Sequence, residues 1–102
     1  MRWLWWCLGG QKRLPRLEHL TFVMYTRPGC HLCEEAWRML DERQKRYHFR
    51  LEAVEVDTDP ELAQRHGEQV PVVAVNGKVR FWGRIEPALV DRFLRGEIGR
   101  IR

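Results

Sequence analysis

At residues 26–33 the chain reads Thr26-Arg27-Pro28-Gly29-Cys30-His31-Leu32-Cys33. The residues just before it, 20–25, form a nearly continuous apolar run, which is typical of a strand buried on both faces. From His31 to about Arg46, apolar residues recur every three to four positions, and this spacing predicts an amphipathic helix. We therefore expect a strand, a tight loop and a helix, with two cysteines where the helix begins.

The rest of the chain predicts three more strands and two more helices. The expected strands are Leu51–Asp57, Pro71–Val75 and Lys78–Trp82, and the expected helices are Glu61–His66 and a segment from Glu86 that stops at Gly96. One helix between the first two strands indicates parallel pairing, whereas Asn76-Gly77 is a hairpin turn that makes the last two strands antiparallel. The order β-α-β-α-β-β-α predicts an α/β fold, with a four-stranded mixed sheet flanked by helices.

Charge and composition favour one domain that binds neither nucleic acid nor membrane. The net charge is +4, but residues 1–20 hold four basic side chains against Glu18, so the rest of the chain is nearly neutral. No apolar run approaches the roughly 20 residues of a membrane span. We expect a loosely ordered arm over residues 1–19, a domain over 20–96 and a basic tail over 97–102.

The chain has three cysteines, of which only Cys30 and Cys33 are close in sequence. This number does not fit the disulfide framework of a small secreted protein, so a reducing, cytoplasmic location is expected, together with a monomeric state. A Cys-x-x-Cys pair in that setting indicates thiol–disulfide chemistry or metal binding. Because zinc needs four ligands and no second such pair exists, we assign no metal site, but zinc, copper(I) or a bridged iron–sulfur cluster remains the alternative.

The position of Cys30 at the start of a helix favours its thiolate, because free backbone amides and the positive end of the helix dipole meet there. Cys33 lies three residues later on the same face, so its sulfur can attack a mixed disulfide formed at Cys30. We expect Pro28 and Gly29 to fix the loop that presents Cys30. His31, when protonated, would place a positive charge beside the thiolate.

The segment Arg27–Cys33 after the first strand, together with Val70-Pro71 before the third, resembles the thioredoxin superfamily. The short element order is similar to that of a compact glutaredoxin-like protein over about residues 20–95. This resemblance implies a thiol–disulfide oxidoreductase with Cys30 and Cys33 as catalytic residues. It also implies a cis Val70–Pro71 bond that faces the dithiol, where the Val70 backbone would pair with a bound thiol peptide.

The resemblance implies a disulfide-containing protein or glutathione as partner, with glutathione as a co-substrate and no tightly bound cofactor. Two departures from the glutaredoxin pattern are visible. His-Leu replaces Pro-Tyr between the cysteines, and Gly83 stands alone where glutaredoxins carry a Gly-Gly pair followed by Asp before the last helix. We expect Gly83 to lie in the substrate site, with Arg27 and Arg84 binding glutathione carboxylates.

Overall fold

The structure is a computed structural model, and it describes residues 15–101. The elements in chain order are β1 (Thr21–Thr26), α1 (His31–Tyr47), β2 (Arg50–Glu55), a 3-10 helix (Val56–Thr58), α2 (Pro60–His66), β3 (Val72–Val75), β4 (Lys78–Trp82) and α3 (Pro87–Arg100). The predicted order β-α-β-α-β-β-α is confirmed. The tryptophans at positions 3, 5 and 6 and Cys7, which belong to the predicted arm, lie outside the described residues.

The four strands form one mixed sheet in the order β2-β1-β3-β4. Strand β1 is parallel to β2 and antiparallel to β3, and β3 is antiparallel to β4. The pairing of β3 with β4 shifts at Arg80, because Ala74 faces Val79 whereas Val73 faces Phe81. Arg80 is therefore an extra residue in β4, which makes a β-bulge in an outer strand.

Helices cover both faces of the sheet. The Phe22 ring of β1 lies edge-on to Phe93 of α3, and the Tyr25 ring lies 4.7 Å from the ring of His66 in α2. Since Phe22 and Tyr25 are an odd number of residues apart in one strand, they point to opposite faces, and so α3 and α2 lie on opposite sides. Helix α1 lies on the same side of the sheet as α3, and an ion pair between Arg43 and Asp91 connects the two helices.

The turn between β3 and β4 has the predicted hairpin geometry. Asn76 and Gly77 both have positive φ, at 50° and 84°, as a two-residue type I′ turn requires. The Asn76 side chain also accepts a hydrogen bond from the Thr21 amide at 2.8 Å, so the turn is fastened to the start of β1.

Two predicted element ends differ from the structure. The second strand stops at Glu55 instead of Asp57, because residues 56–58 turn into a 3-10 helix in which the Thr58 hydroxyl donates to the Glu55 carbonyl. The last helix does not stop at Gly96 but continues to Arg100. Beyond the glycine, Ile98 packs against the core, and that burial outweighs the roughly 1 kcal/mol that a helical glycine costs.

The core also begins earlier than the predicted domain boundary at residue 20. Leu17 has no exposed surface, and its amide donates to the Tyr47 carbonyl at the end of α1. The end of the predicted arm is thus part of the packed domain. Within residues 15–101, no helix has the length and apolar character that crossing a bilayer requires.

Candidate active site

Cys30 is the N-cap of α1. Its backbone is extended, with φ −94° and ψ 109°, and its sulfur accepts a hydrogen bond from the Cys33 amide at 3.2 Å. Gly29, immediately before it, has a φ of +77°, a conformation that glycine adopts without strain. Pro28 and Gly29 are both exposed, so the loop places Cys30 at the protein surface, where the helix begins.

The two cysteines differ in exposure although they lie side by side. Their sulfur atoms are at close to disulfide distance, and their Cα atoms are 5.2 Å apart, within the range of natural disulfides. Cys33 is 2% exposed, whereas Cys30 is only partly buried. An incoming disulfide therefore meets the sulfur of Cys30 first.

His31 points away from the dithiol into solvent. Its side chain is 94% exposed, and its Nδ1 lies 3.6 Å from a carboxylate oxygen of Glu34. When His31 is protonated, its charge is therefore paired with Glu34. This contact weakens the electrostatic influence on Cys30 that the sequence predicts for this residue.

Arg27 lies beside the loop, but its guanidinium is already engaged. Nε and Nη2 donate to the two carboxylate oxygens of Asp57 at 3.2 and 3.1 Å, and Nη1 donates to the Gly67 carbonyl at 3.0 Å. The two parallel N–H donors with which an arginine binds a carboxylate are thus occupied by Asp57. These bonds link the end of β1 to the end of α2. Arg27 also lines the groove that contains the cysteines, and its predicted role in substrate binding stays a prediction.

The Val70–Pro71 peptide bond is cis. Val70 is half-buried and packs against the core, while Pro71 is buried just before β3. The Gly83 amide donates to the carbonyls of Gln69 and Pro71, at 3.2 and 2.9 Å, so Gly83 is tied to both neighbours of Val70. Its φ of +68° explains why a glycine stands at this position.

Arg84 is exposed and lies on a different part of the surface from Arg27. It lines a cavity of about 290 Å³ between α1 and the loop before α3. The other lining residues are Leu32, Glu35, Ala36, Met39, Ile85, Glu86 and Pro87. Leu32 lies between the two cysteines in sequence, but neither cysteine lines this cavity.

A second depression, about 620 Å³ in volume, contains both cysteines. Besides the loop residues, it is lined by three α1 side chains that the sequence analysis did not single out, namely Glu34, Trp37 and Arg38. Trp37 could have been found from its spacing, because residues four apart on a helix lie on the same face and Trp37 follows Cys33 by four. The dithiol thus lies in an open groove with an aromatic wall.

Among residues 15–101, no three His, Cys, Asp or Glu side chains are grouped so that they could hold a metal ion. No polar or charged side chain is buried in the same part of the chain. The polar groups that line the groove include the two sulfurs, the amides of the first turn of α1 and the charged side chains of Arg27, Glu34 and Arg38.

Comparison with known proteins gives a consistent family assignment. The model of the family described as "Glutaredoxin-like domain (DUF836)" matches residues 21–95. A protein named "Probable Thioredoxin" from Methanothermobacter thermautotrophicus is 35% identical over 63 residues, which are 59% of this chain and 74% of that protein. A protein of the same name from Methanothermobacter marburgensis matches with the same figures.

Solved structures agree with the fold. Protein Ne2328 from Nitrosomonas europaea superposes with a TM-score of 0.63 at 29% identity, covering 72% of this chain and 89% of that one. The oxidised thioredoxin from Plasmodium falciparum has a TM-score of 0.58 at 18% identity, covering 78% of this chain and 81% of that one. At such low identity the second match supports the fold alone.

Proposed function

The chain belongs to the glutaredoxin-like domain family, and on that premise we propose that it is a thiol–disulfide oxidoreductase in which Cys30 attacks and Cys33 resolves. One observation carries the proposal. The sulfur of Cys30 caps the N-terminus of α1 and accepts the Cys33 amide hydrogen bond, while the sulfur of Cys33 lies beside it and is buried.

The proposed reaction starts from the reduced protein. The Cys30 thiolate attacks one sulfur of a substrate disulfide, whose S–S bond breaks, and the other substrate sulfur leaves as a thiolate that takes a proton from water. Cys33 then loses its proton to solvent and attacks Cys30 in the mixed disulfide, which releases the second substrate thiol. The substrate gains two electrons, the protein loses two, and a thiol reductant such as glutathione restores the dithiol.

The physical basis of the first step is stabilisation of a sulfur anion at the helix start. The helix dipole typically contributes 0.3 to about 1 kcal/mol, and a hydrogen bond to a charged acceptor contributes about 1.5–3 kcal/mol. The Cys33 amide is a donor of this kind, since it already points at the sulfur at 3.2 Å. We propose that these two contributions together populate the thiolate at neutral pH.

Protein disulfides and glutathione mixed disulfides are the proposed substrates. The open groove supports this choice, because a large disulfide partner reaches Cys30 without rearrangement of the loop. We further propose that the protein acts as a monomer in a reducing compartment such as the cytoplasm, without nucleic acid as a partner. The cysteine usage and the nearly neutral charge of residues 21–102 support these proposals.

Single-turnover reactions with each cysteine replaced test the roles. All proteins carry Cys7→Ser, so that the third thiol does not contribute. Pre-reduced wild type should convert a glutathionylated peptide to free thiol, Cys30→Ser should leave it unreacted, and Cys33→Ser should accumulate a mixed disulfide at Cys30. Mass spectrometry distinguishes the three products. Unchanged turnover in Cys30→Ser would overturn the assignment.

A further inference from the structure

An exposed apolar patch lies at the end of β4, away from the dithiol groove. Trp82 is 58% exposed and Leu89 is 49% exposed, which is unusual for side chains of this size. Both line a depression of about 200 Å³, together with Arg80, Phe81, Arg84 and Ile85. The patch thus combines two apolar side chains with two arginines.

This depression continues into the cavity beside α1. Arg84 and Ile85 line it and also line the cavity that contains Leu32, the residue before Cys33. One continuous surface therefore runs from Leu32 in the first turn of α1 to Trp82. We call it the Leu32–Trp82 surface. Leu32 is next to Cys33 in the chain, while the two cysteines themselves line the separate groove described above.

The far end of this surface is positively charged. Within residues 15–101, Lys78, Arg80 and Arg84 have no carboxylate partner, as is also true of Arg38, Arg46, Arg50, Arg92 and Arg95. Arg80 instead lies 5.4 Å over the Phe93 ring. The acidic residues on the surface, Glu35 and Glu86, line the cavity at the Leu32 end. The depression that holds Trp82 is lined by two arginines and no acidic residue.

We propose that the Leu32–Trp82 surface binds an acidic segment of a protein substrate, in which an apolar side chain several residues from the disulfide packs against Trp82 and Leu89. Charge complementarity identifies the occupant, because unpaired arginines beside apolar side chains bind carboxylates and an apolar anchor together. The inference rests on the proposed function and adds the substrate class. It predicts discrimination between protein disulfides according to the residues that flank the cysteine.

Matched peptides test the discrimination. Each carries one cysteine in mixed disulfide with mercaptoethanol and, several residues away, a leucine flanked either by Asp and Glu or by Lys. The reduced protein should react with the acidic peptide about tenfold faster, a difference of about 1.4 kcal/mol. At roughly 1 M salt the two rates should converge, because screening then acts over about 3 Å. Equal rates at low salt would overturn the proposal.

Charge reversal at Arg84, which follows β4, and at Arg50 in β2 supplies the matched variants. Arg84→Glu should abolish or invert the acidic preference. Arg50→Glu, on the outer strand at the opposite side of the sheet, should leave the preference unchanged. Trp82→Ser should remove the advantage of leucine over serine in the acidic peptide, whereas Ile101→Ser, at a comparably exposed apolar residue, should not. The ratio of two rates within one variant is insensitive to partial loss of folded protein. Equal effects of Arg84→Glu and Arg50→Glu would contradict the proposal.

A binding measurement separates this inference from the proposed function. Reduction of hydroxyethyl disulfide, which is small and uncharged, reports the dithiol chemistry alone. The acidic peptide with serine in place of cysteine should shift the indole N–H resonance of Trp82, assigned with Trp82→Phe, and the lysine peptide should not. If hydroxyethyl disulfide is not reduced, the proposed function is wrong. If the Trp82 resonance does not respond, the docking proposal is wrong.

Discussion

Arg27 and Arg84 show how differently two arginines near one dithiol can be placed. Arg27 donates from all three of its side-chain nitrogens, to Asp57 and to the Gly67 carbonyl. It therefore fixes the end of β1, from which the Cys30 loop begins. Arg84 is exposed and lies between two depressions. The sequence placed both in one substrate-binding role because it does not reveal contacts thirty or forty residues apart.

Substitution by glutamine should separate these two arginines. Arg27→Gln should lower the free energy of unfolding by about 1 kcal/mol, because it removes a partly exposed bidentate ion pair and one bond to a carbonyl. Arg84→Gln, the matched control, should change it by less than about 0.5 kcal/mol. Urea denaturation measures both. If Arg27→Gln instead leaves the free energy of unfolding unchanged and raises the KM for a glutathionylated peptide, the role of Arg27 is substrate binding.

At the scale of the elements, the ion pair between Arg43 and Asp91 holds α1, which carries the dithiol, against α3. Nε and Nη2 of Arg43 donate to the two carboxylate oxygens of Asp91 at 3.0 and 3.1 Å. The hydrogen bond from Arg43, followed by its charge, lowers the pKa of Asp91 below the usual 3.8, against the opposing effect of burial. The same bond raises the pKa of Arg43.

The ion pair between Arg43 and Asp91 should make the free energy of unfolding depend on pH. Because the pKa of Asp91 is lower in the folded state, its contribution is present above pH 3.8 and is lost as pH falls through the folded value. Asp91→Asn should therefore cost about 1 kcal/mol at neutral pH, and the difference from wild type should shrink below about pH 4.

Asp41→Asn is the control for this prediction, since Asp41 pairs with Lys45 on one exposed helix face. That change should cost at most about 0.5 kcal/mol. Urea denaturation across the pH range reports both variants. A deficit of Asp91→Asn that persists at low pH would show that the loss is one of packing and not of charge.

Most elements could be predicted because their signals are local. The apolar run before Thr26, the helical spacing after Cys30 and the Asn76-Gly77 turn each lie within a few residues. The ends of β2 and α3 could not, because tertiary contacts decide them. Gly96 is a normal stop signal, but the helix continues through it to Arg100, and Ile98 in that extension packs against the core. In the site, the sequence indicates the cysteine pair, and the helical spacing also places Trp37 on the face of Cys33, whereas the groove itself depends on residues from β1 and β2 that only the fold brings together.

At the scale of the whole molecule, the packed unit starts before the strand that the sequence marks as its beginning. Leu17 is wholly buried and is bonded through its amide to the end of α1. Its neighbours are two exposed charged residues, the basic Arg16 and the acidic Glu18. A single buried leucine between them gives no periodic signal.

Replacement of Leu17 measures how much the packing of this residue before β1 contributes to the free energy of unfolding. Leu17→Ala should lower the free energy of unfolding by about 2–4 kcal/mol, as expected for a buried leucine replaced by alanine. Leu89→Ala, at a half-exposed leucine, should cost clearly less. Thermal or urea denaturation compares the two. Equal and small losses would mean that residues before β1 contribute nothing to the core.

The bulge at Arg80 has a consequence for molecules at high concentration. An outer strand normally offers a row of free amides and carbonyls on which another copy can extend the sheet, and filaments grow in this way. The extra residue in β4 breaks that row, and Lys78 and Arg80 would meet the same charges on an approaching β4. The β4 edge of the sheet therefore resists polymerisation, while the side chains of β4 stay accessible.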